Sequence, residues 1–162
     1  MSASVFHSLL SDLPLHFRPL SSIKFFEPKQ SFIDYMKDTY SGREIWDIGA
    51  GCGFVAHKIF QADMKVVALD MIAREAPYFP VMISNAITQQ YPNTAVMLFC
   101  RPCHGGFVSA AIYQGLRCGV RDYVYAGLPK NVNDDLGEFR RSFRRVATKV
   151  GEENESLYTW SI

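Results

Sequence analysis

The segment Ile45-Trp46-Asp47-Ile48-Gly49-Ala50-Gly51-Cys52-Gly53-Phe54-Val55 runs from apolar residues into three alternating glycines and out into a second apolar series. Such a series predicts a buried strand, a tight turn and a helix. Glycine is needed where the backbone bends sharply and where a bound molecule comes too close to the main chain for a Cβ. The helix opening near Phe54 directs its first amides and its dipole at the same place, which favours a negatively charged group there. The turn is therefore expected to receive a cofactor.

On either side of this turn the chain alternates between two periodicities. Short apolar, β-branched or aromatic runs at 44–48, 65–69, 79–84, 95–100 and 123–126 predict five buried strands. Helical spacing lies between several of them, at 54–61 and 107–116, and this alternation predicts βαβ units around a mostly parallel sheet. A further helix is expected over 30–39, with Phe32, Ile33 and Met36 on its buried face, Ser31 as N-cap and Ser41-Gly42 as its end. Residues 133–150 predict a helix with acidic Asp134 and Asp135 at its start and basic residues toward its end, an order that suits the helix dipole. The run 157–162 predicts one last strand. Pro14, Pro19 and Pro28 interrupt the N-terminal part, which reads as a short helix over 5–11 followed by an extended segment packed on the core. Phe25 and Phe26 are expected to cover an edge of that core or the mouth of the cofactor site. The division is an extension over 1–29 and a single domain over 30–162.

Composition narrows the class. With 48% apolar and 20% charged residues in a chain of 162, one globular domain with its own core is expected. The longest apolar runs are too short to span a bilayer, and the first residues lack the pattern of a secretory signal, so a cytoplasmic protein is expected. The formal charge of +1 supplies no general attraction to nucleic acid or membrane. The local exception is Arg140, Arg141, Arg144 and Arg145, which a helix would spread over one broad face; a solvated surface is favoured there over a nucleic-acid contact. Four cysteines, Cys52, Cys100, Cys103 and Cys118, are expected to be free thiols. Cys100 and Cys103 have C-x-x-C spacing, but a structural zinc site wants two such pairs, and no metal is expected.

A glycine-rich strand-turn-helix alone does not separate a nicotinamide site from a methyl-donor site. Here the spacing is G-x-G-x-G, Asp47 lies just ahead of the first glycine, and a second acid ends the next strand in Val66-Val67-Ala68-Leu69-Asp70. An acid at that strand tip, about 20 residues beyond the turn, can accept ribose hydroxyl hydrogens. This pattern resembles the class I S-adenosylmethionine-dependent methyltransferases over most of the chain from about Gln30 onward. The resemblance implies a Rossmann-like α/β three-layer sandwich with strand order 3-2-1-4-5 plus a C-terminal strand, helices on both faces, and S-adenosylmethionine as cofactor. It further implies that Asp47 lies near the cofactor's amino group. Gly49, Ala50, Gly51 and Gly53 would line its methionine portion, Asp70 would hold the ribose, and Asn85, after the third strand, would stand beside the adenine. The family commonly has an acid at that last place, and an amide makes similar hydrogen bonds.

In open α/β sheets ligands lie beyond the carboxyl ends of the strands, so reactive groups are expected after the fourth and fifth strands. Arg101-Pro102-Cys103-His104-Gly105-Gly106-Phe107 and Gly127-Leu128-Pro129-Lys130 are those loops. The first faintly resembles the Pro-Cys-Gln-Gly loop of cytosine-5 DNA methyltransferases, which would make Cys103 a nucleophile, activated by Arg101 or His104. The chain lacks the Glu-Asn-Val sequence that accompanies it, and it also lacks the Asp/Asn-Pro-Pro-aromatic signature of amino-group methylation. His104 is the other candidate, as a base toward a hydroxyl or amine. The expectation is a small methyltransferase acting on a small molecule, a protein or RNA. A catalytically inactive interaction module of the same fold is the alternative, and a nicotinamide-linked enzyme has less support.

Overall fold

The structure, a computed structural model, describes residues 24–162; the short helix expected over 5–11 lies outside them. Seven strands form one sheet in the order β3-β2-β1-β4-β5-β7-β6. They are β1 (Glu44–Ile48), β2 (Lys65–Asp70), β3 (Val81–Ile83), β4 (Val96–Cys100), β5 (Asp122–Gly127), β6 (Arg144–Ala147) and β7 (Ser156–Ser161). The first five run parallel, and β7 joins β5 antiparallel with β6 paired antiparallel beyond it. Among the described residues the α-helices are α1 (Gln30–Tyr40), α2 (Phe54–Gln61), α3 (Phe107–Arg117) and the short α4 (Val132–Leu136). None of the helices among the described residues is long and apolar enough to cross a membrane.

The period-two rule of the strands divides the core. Ile45, Val96, Leu98, Val124, Ala126 and Leu157 point to the face that carries α1 and α2. Trp46, Ile48, Met97, Phe99, Tyr123, Tyr125 and Tyr158 point to the other, under α3 and α4. Central strands buried on both faces read as continuous apolar runs, which is why β1, β4 and β5 were visible in the sequence. Asp47 has the parity of Ile45, so β1 puts a carboxylate into a buried position on the α2 side.

Four expectations need correction. The helix predicted over 133–150 is instead α4, a 3₁₀ segment Gly137–Ser142 and the strand β6. Gly137, at φ +53°, ends the helix, and from Phe143 onward the backbone is extended and bonds to β7. Strand pairing outweighs the favourable charge order that suggested a helix. The single expected C-terminal strand is accordingly a hairpin. The basic cluster is also divided: Arg140 lies over the Tyr158 ring at 5.2 Å from its centroid, whereas Arg144 and Arg145 are exposed on the edge strand β6. Charged side chains on an edge discourage pairing with another sheet. Finally, Ser31 does not cap α1. Its N-cap is Lys29, whose amide donates to the Val150 carbonyl at 2.8 Å, and this contact fixes where the helix begins.

The third strand is shorter than the predicted 79–84, because Phe79 turns back onto the glycine turn. Phe26 is buried against Phe32, with ring centroids 5.2 Å apart, while Phe25 is 59% exposed. Phe99 is fully buried in the core under α3 and α4, so Phe99→Ala is expected to cost about 3–5 kcal/mol in urea unfolding. Met71→Ala, at a side chain that is mostly exposed, should stay within about 0.5 kcal/mol of the parent.

Candidate functional site

At the carboxyl ends of β1, β2, β4 and β5 the structure opens into a cavity of about 480 Å³. That size suits a small-molecule ligand. Its floor is the glycine turn, held in shape by the neighbouring strand. The amides of Gly49 and Ala50 both donate to the Leu69 carbonyl at 2.9 Å, and the Gly51 amide donates to Asp70 Oδ2 at 2.8 Å. Gly49 and Gly51 have φ of +71° and +58°, a region that side-chain-bearing residues rarely adopt. Apart from its chain neighbours, a Cβ at Gly51 would meet no atom of the described residues within 4 Å, so the bare backbone there faces open space.

Asp47, Gly49, Ala50, Gly51, Asp70, Cys103 and His104 all line this cavity. Gly53 and Asn85 are not among its lining residues. Gly53 is instead the N-cap of α2, where a Cβ would strike the Phe79 carbonyl oxygen at 2.9 Å. Asn85 Oδ1 accepts from the Ile87 amide, closing a local turn, while its neighbours Ser84 and Ala86 reach the cavity wall.

The two acids differ in their surroundings. Asp70 accepts from Gly51 through one oxygen and from the Ile72 amide through the other, at 3.1 Å. Each carboxylate oxygen has a second lone pair, so Asp70 can clamp the turn and still accept from a ligand. Asp47 is only 2% exposed, and its Oδ2 has no hydrogen-bond partner among the described residues. Burial, with the Asp70 charge adding to it and the Ala56 amide opposing, pushes the Asp47 carboxyl up to about 7. A buried acceptor left open at the wall of a cavity is a place for a donor or a cation.

Two cations were not foreseen. Lys24 and Arg74 line the cavity beside Cys52; burial raises that thiol's pKa, and their charges offset part of the rise. Lys24 Nζ lies 4.4 Å from the Phe54 ring centroid, at the start of α2, and Arg74 Nε is buried with no hydrogen-bond partner among the described residues. Neither belongs to a periodic element, and no sequence spacing connects them to the turn. Arg74 is brought there by the 71–79 segment folding back, with the Tyr78 amide donating to the Cys52 carbonyl at 2.7 Å.

The far wall comes from the loop after β4. Arg101, at φ +44°, donates its amide to the Ala126 carbonyl at 2.8 Å and pairs through its guanidinium with the buried Glu155 at 3.3 Å. Cys103 is exposed, and His104 Nδ1 lies 2.6 Å from Asp135 Oδ1. No hydrogen bond links the Cys103 thiol to His104 among the described residues. Cys100, partly buried at the end of β4, also lines the cavity, and burial, with Asp47 and Glu155 adding, raises its thiol well above the ordinary value. No group of three or more His, Cys, Asp or Glu among the described residues is placed to hold a metal.

Solved structures share this architecture. A protein described as a putative RNA methyltransferase from Pyrococcus horikoshii superposes with a TM-score of 0.58 at 14% identity, covering 99% of this chain and 98% of its own. Ribosomal protein L11 methylase from Lactobacillus delbrueckii subsp. bulgaricus gives 0.56 at 13% identity, over 82% of this chain and 75% of that one. Magnesium protoporphyrin IX methyltransferase from Synechocystis PCC 6803, with bound S-adenosylmethionine, gives 0.54 at 14%, over 80% and 76%. The fold is that of the class I methyltransferases. At these identities the methyltransferase likeness is one of architecture, including the 3-2-1-4-5-7-6 sheet. No family model matches the sequence, and no curated protein matches it significantly.

The raised Asp47 carboxyl has a measurable consequence in the unliganded protein. The folded state keeps this proton up to about pH 7, whereas the unfolded chain releases it near the ordinary carboxyl value of 3.8. Between those values the native state binds more protons, so Asp47 withdraws stability as pH rises and the effect levels off above about 7. Asp47→Asn, which still accepts from Ala56, should therefore gain on the parent by on the order of 3 kcal/mol between about pH 5 and 8 in urea titrations. Parallel pH profiles of the two proteins would count against a buried, unneutralised carboxyl.

Proposed function

We propose that this chain is a methyltransferase that binds S-adenosylmethionine in the cavity above the glycine turn. The observation that carries the proposal is Asp47 Oδ2, a buried carboxylate oxygen left open at the cavity wall beside bare backbone at Gly51. The charges around it suit an amino-acid zwitterion joined to a nucleoside. Asp47 would receive the ammonium group, Lys24 and Arg74 near the N-terminus of α2 would receive the carboxylate, and Asp70 would accept from the ribose hydroxyls. Gly49 and Ala50 line the same floor and leave room for the chain between them, while Ser84 and Ala86 offer the wall for the base.

When bound, the cofactor supplies a methyl group on a positively charged sulfur, a reactive donor that needs no covalent attachment to the protein. The chain's own contribution is then placement and exclusion. The clamped turn fixes the donor end, the loops after β4 and β5 form the opposite wall, and holding two reactants in line supplies much of the acceleration. Cys103 is not needed for such a transfer.

Titration calorimetry with S-adenosylmethionine tests the reading, and heat of binding at one site is the expected result. Gly51→Val, with a side chain both strained at positive φ and projecting into the cavity, should weaken binding by about 100-fold, roughly 2.7 kcal/mol. Because the ammonium group requires Asp47 ionised, parent affinity should rise as pH approaches 7, by up to about tenfold per unit, and Asp47→Asn should abolish that rise. A folded protein with no affinity for the cofactor would indicate an interaction module instead.

A further inference from the structure

The site contains a polar chain that cofactor binding does not use. Tyr125 on β5 donates its hydroxyl to Asp135 Oδ2 at 2.5 Å, and Asp135 on α4 meets His104 Nδ1 through its other oxygen. Three elements distant in sequence thus converge on one wall of the cavity, and both His104 and Asp135 line it. Asp135 is 5% exposed, whereas the His104 side chain is 67% exposed. As a device for stability the arrangement is poor, because it buries a carboxylate to hold a ring that remains in solvent. As a device for orientation it is effective. Tyr125, kept protonated by burial and by its bond to Asp135, fixes the carboxylate as an acceptor. An acceptor opposite Nδ1 keeps the imidazole proton on that nitrogen and leaves Nε2 with a free lone pair.

Resting on the methyltransferase reading above, we infer that His104 is the general base of the reaction and that the methyl acceptor is a phenolic hydroxyl. An acceptor that is already ionised near neutral pH, such as a carboxylate, has no use for an oriented base, whereas a phenol with a pKa of about 10 does. The surrounding wall, with Phe25, Pro102 and Phe107, suits an aromatic body. In the step, the phenol O–H proton passes to His104 Nε2, the oxygen's electron pair forms the O–CH3 bond, and the S–CH3 bond breaks with its pair retained by sulfur. The products are the methyl ether, neutral S-adenosylhomocysteine and an imidazolium facing Asp135. His104 is the catalytic residue; Asp135 and Tyr125 are positioning residues.

Two measurements test this, and the first needs neither cofactor nor acceptor. Nitrogen-15 NMR of the imidazole should show His104 as the Nδ1–H tautomer in the parent and as a tautomer mixture in Asp135→Asn. The second uses tritiated S-adenosylmethionine with phenol and with 4-nitrophenol at about pH 8, where only the latter is largely ionised. His104→Gln should slow transfer to phenol by about 100-fold or more, transfer to 4-nitrophenolate by no more than about threefold, and leave cofactor affinity unchanged. Asp135→Asn should slow the phenol reaction and displace its pH profile. Transfer to phenol at the parent rate by His104→Gln, an Nε2–H tautomer, or cofactor-loaded protein that methylates only carboxylate, thiol or amine probes, or no probe at all, would overturn the inference. A parent protein that fails to bind the cofactor defeats the methyltransferase reading instead, and calorimetry separates the two failures.

Discussion

The carboxyl end of β2 holds the turn that everything else in the site relies on. One carbonyl, that of Leu69, accepts from two successive amides of the turn, and the carboxylate of the next residue accepts from a third. Left-handed backbone at Gly49 and Gly51 is unfavourable for residues with side chains and is affordable here because of the glycines and these bonds. The clamp makes β1 and β2 a single rigid unit. The acid at the tip of β2 is thus part of the scaffold as well as of the wall, and its structural role does not depend on any ligand.

The central sheet was readable because a strand buried on both faces is mostly apolar; β4 is so throughout, and β1 and β5 depart from it only at Glu44, Asp47 and Asp122. The turn was readable because alternating glycines after such a strand have few other uses. What escaped the sequence was non-local. Residues 133–150 carry a charge order that agrees with a helix, and only the presence of β7 as a partner makes β6 extended. Ser31 has the chemistry of an N-cap, but the contact between Lys29 and Val150 sets the boundary first.

The site was legible to the same degree and for the same reason. Asp47, Gly51 and Asp70 sit within or at the ends of adjacent strands, so local spacing brings them together. Lys24, Arg74 and Asp135 reach the cavity from segments whose paths are fixed by tertiary contacts, and no periodicity marks them. His104 stood out as an imidazole after a strand end. Its partner did not, since Asp135 looked like an ordinary acid in the first turn of a helix. Asn85 drew notice because of its position after β3, yet the local turn with Ile87 engages its side chain.

The strand order carries a consequence for the timing of assembly. Strand β7 is synthesised after β6 but lies between β6 and β5, with β5 paired to it along its whole length. During translation β6 therefore has no sheet to join until the later strand has left the ribosome. Until then the side of β5 that will receive it is an open ladder of donors and acceptors, flanked by Tyr123 and Tyr125. The nascent chain passes through a stage in which this edge of β5 is uncovered, and completion of that side of the sheet awaits a single late insertion.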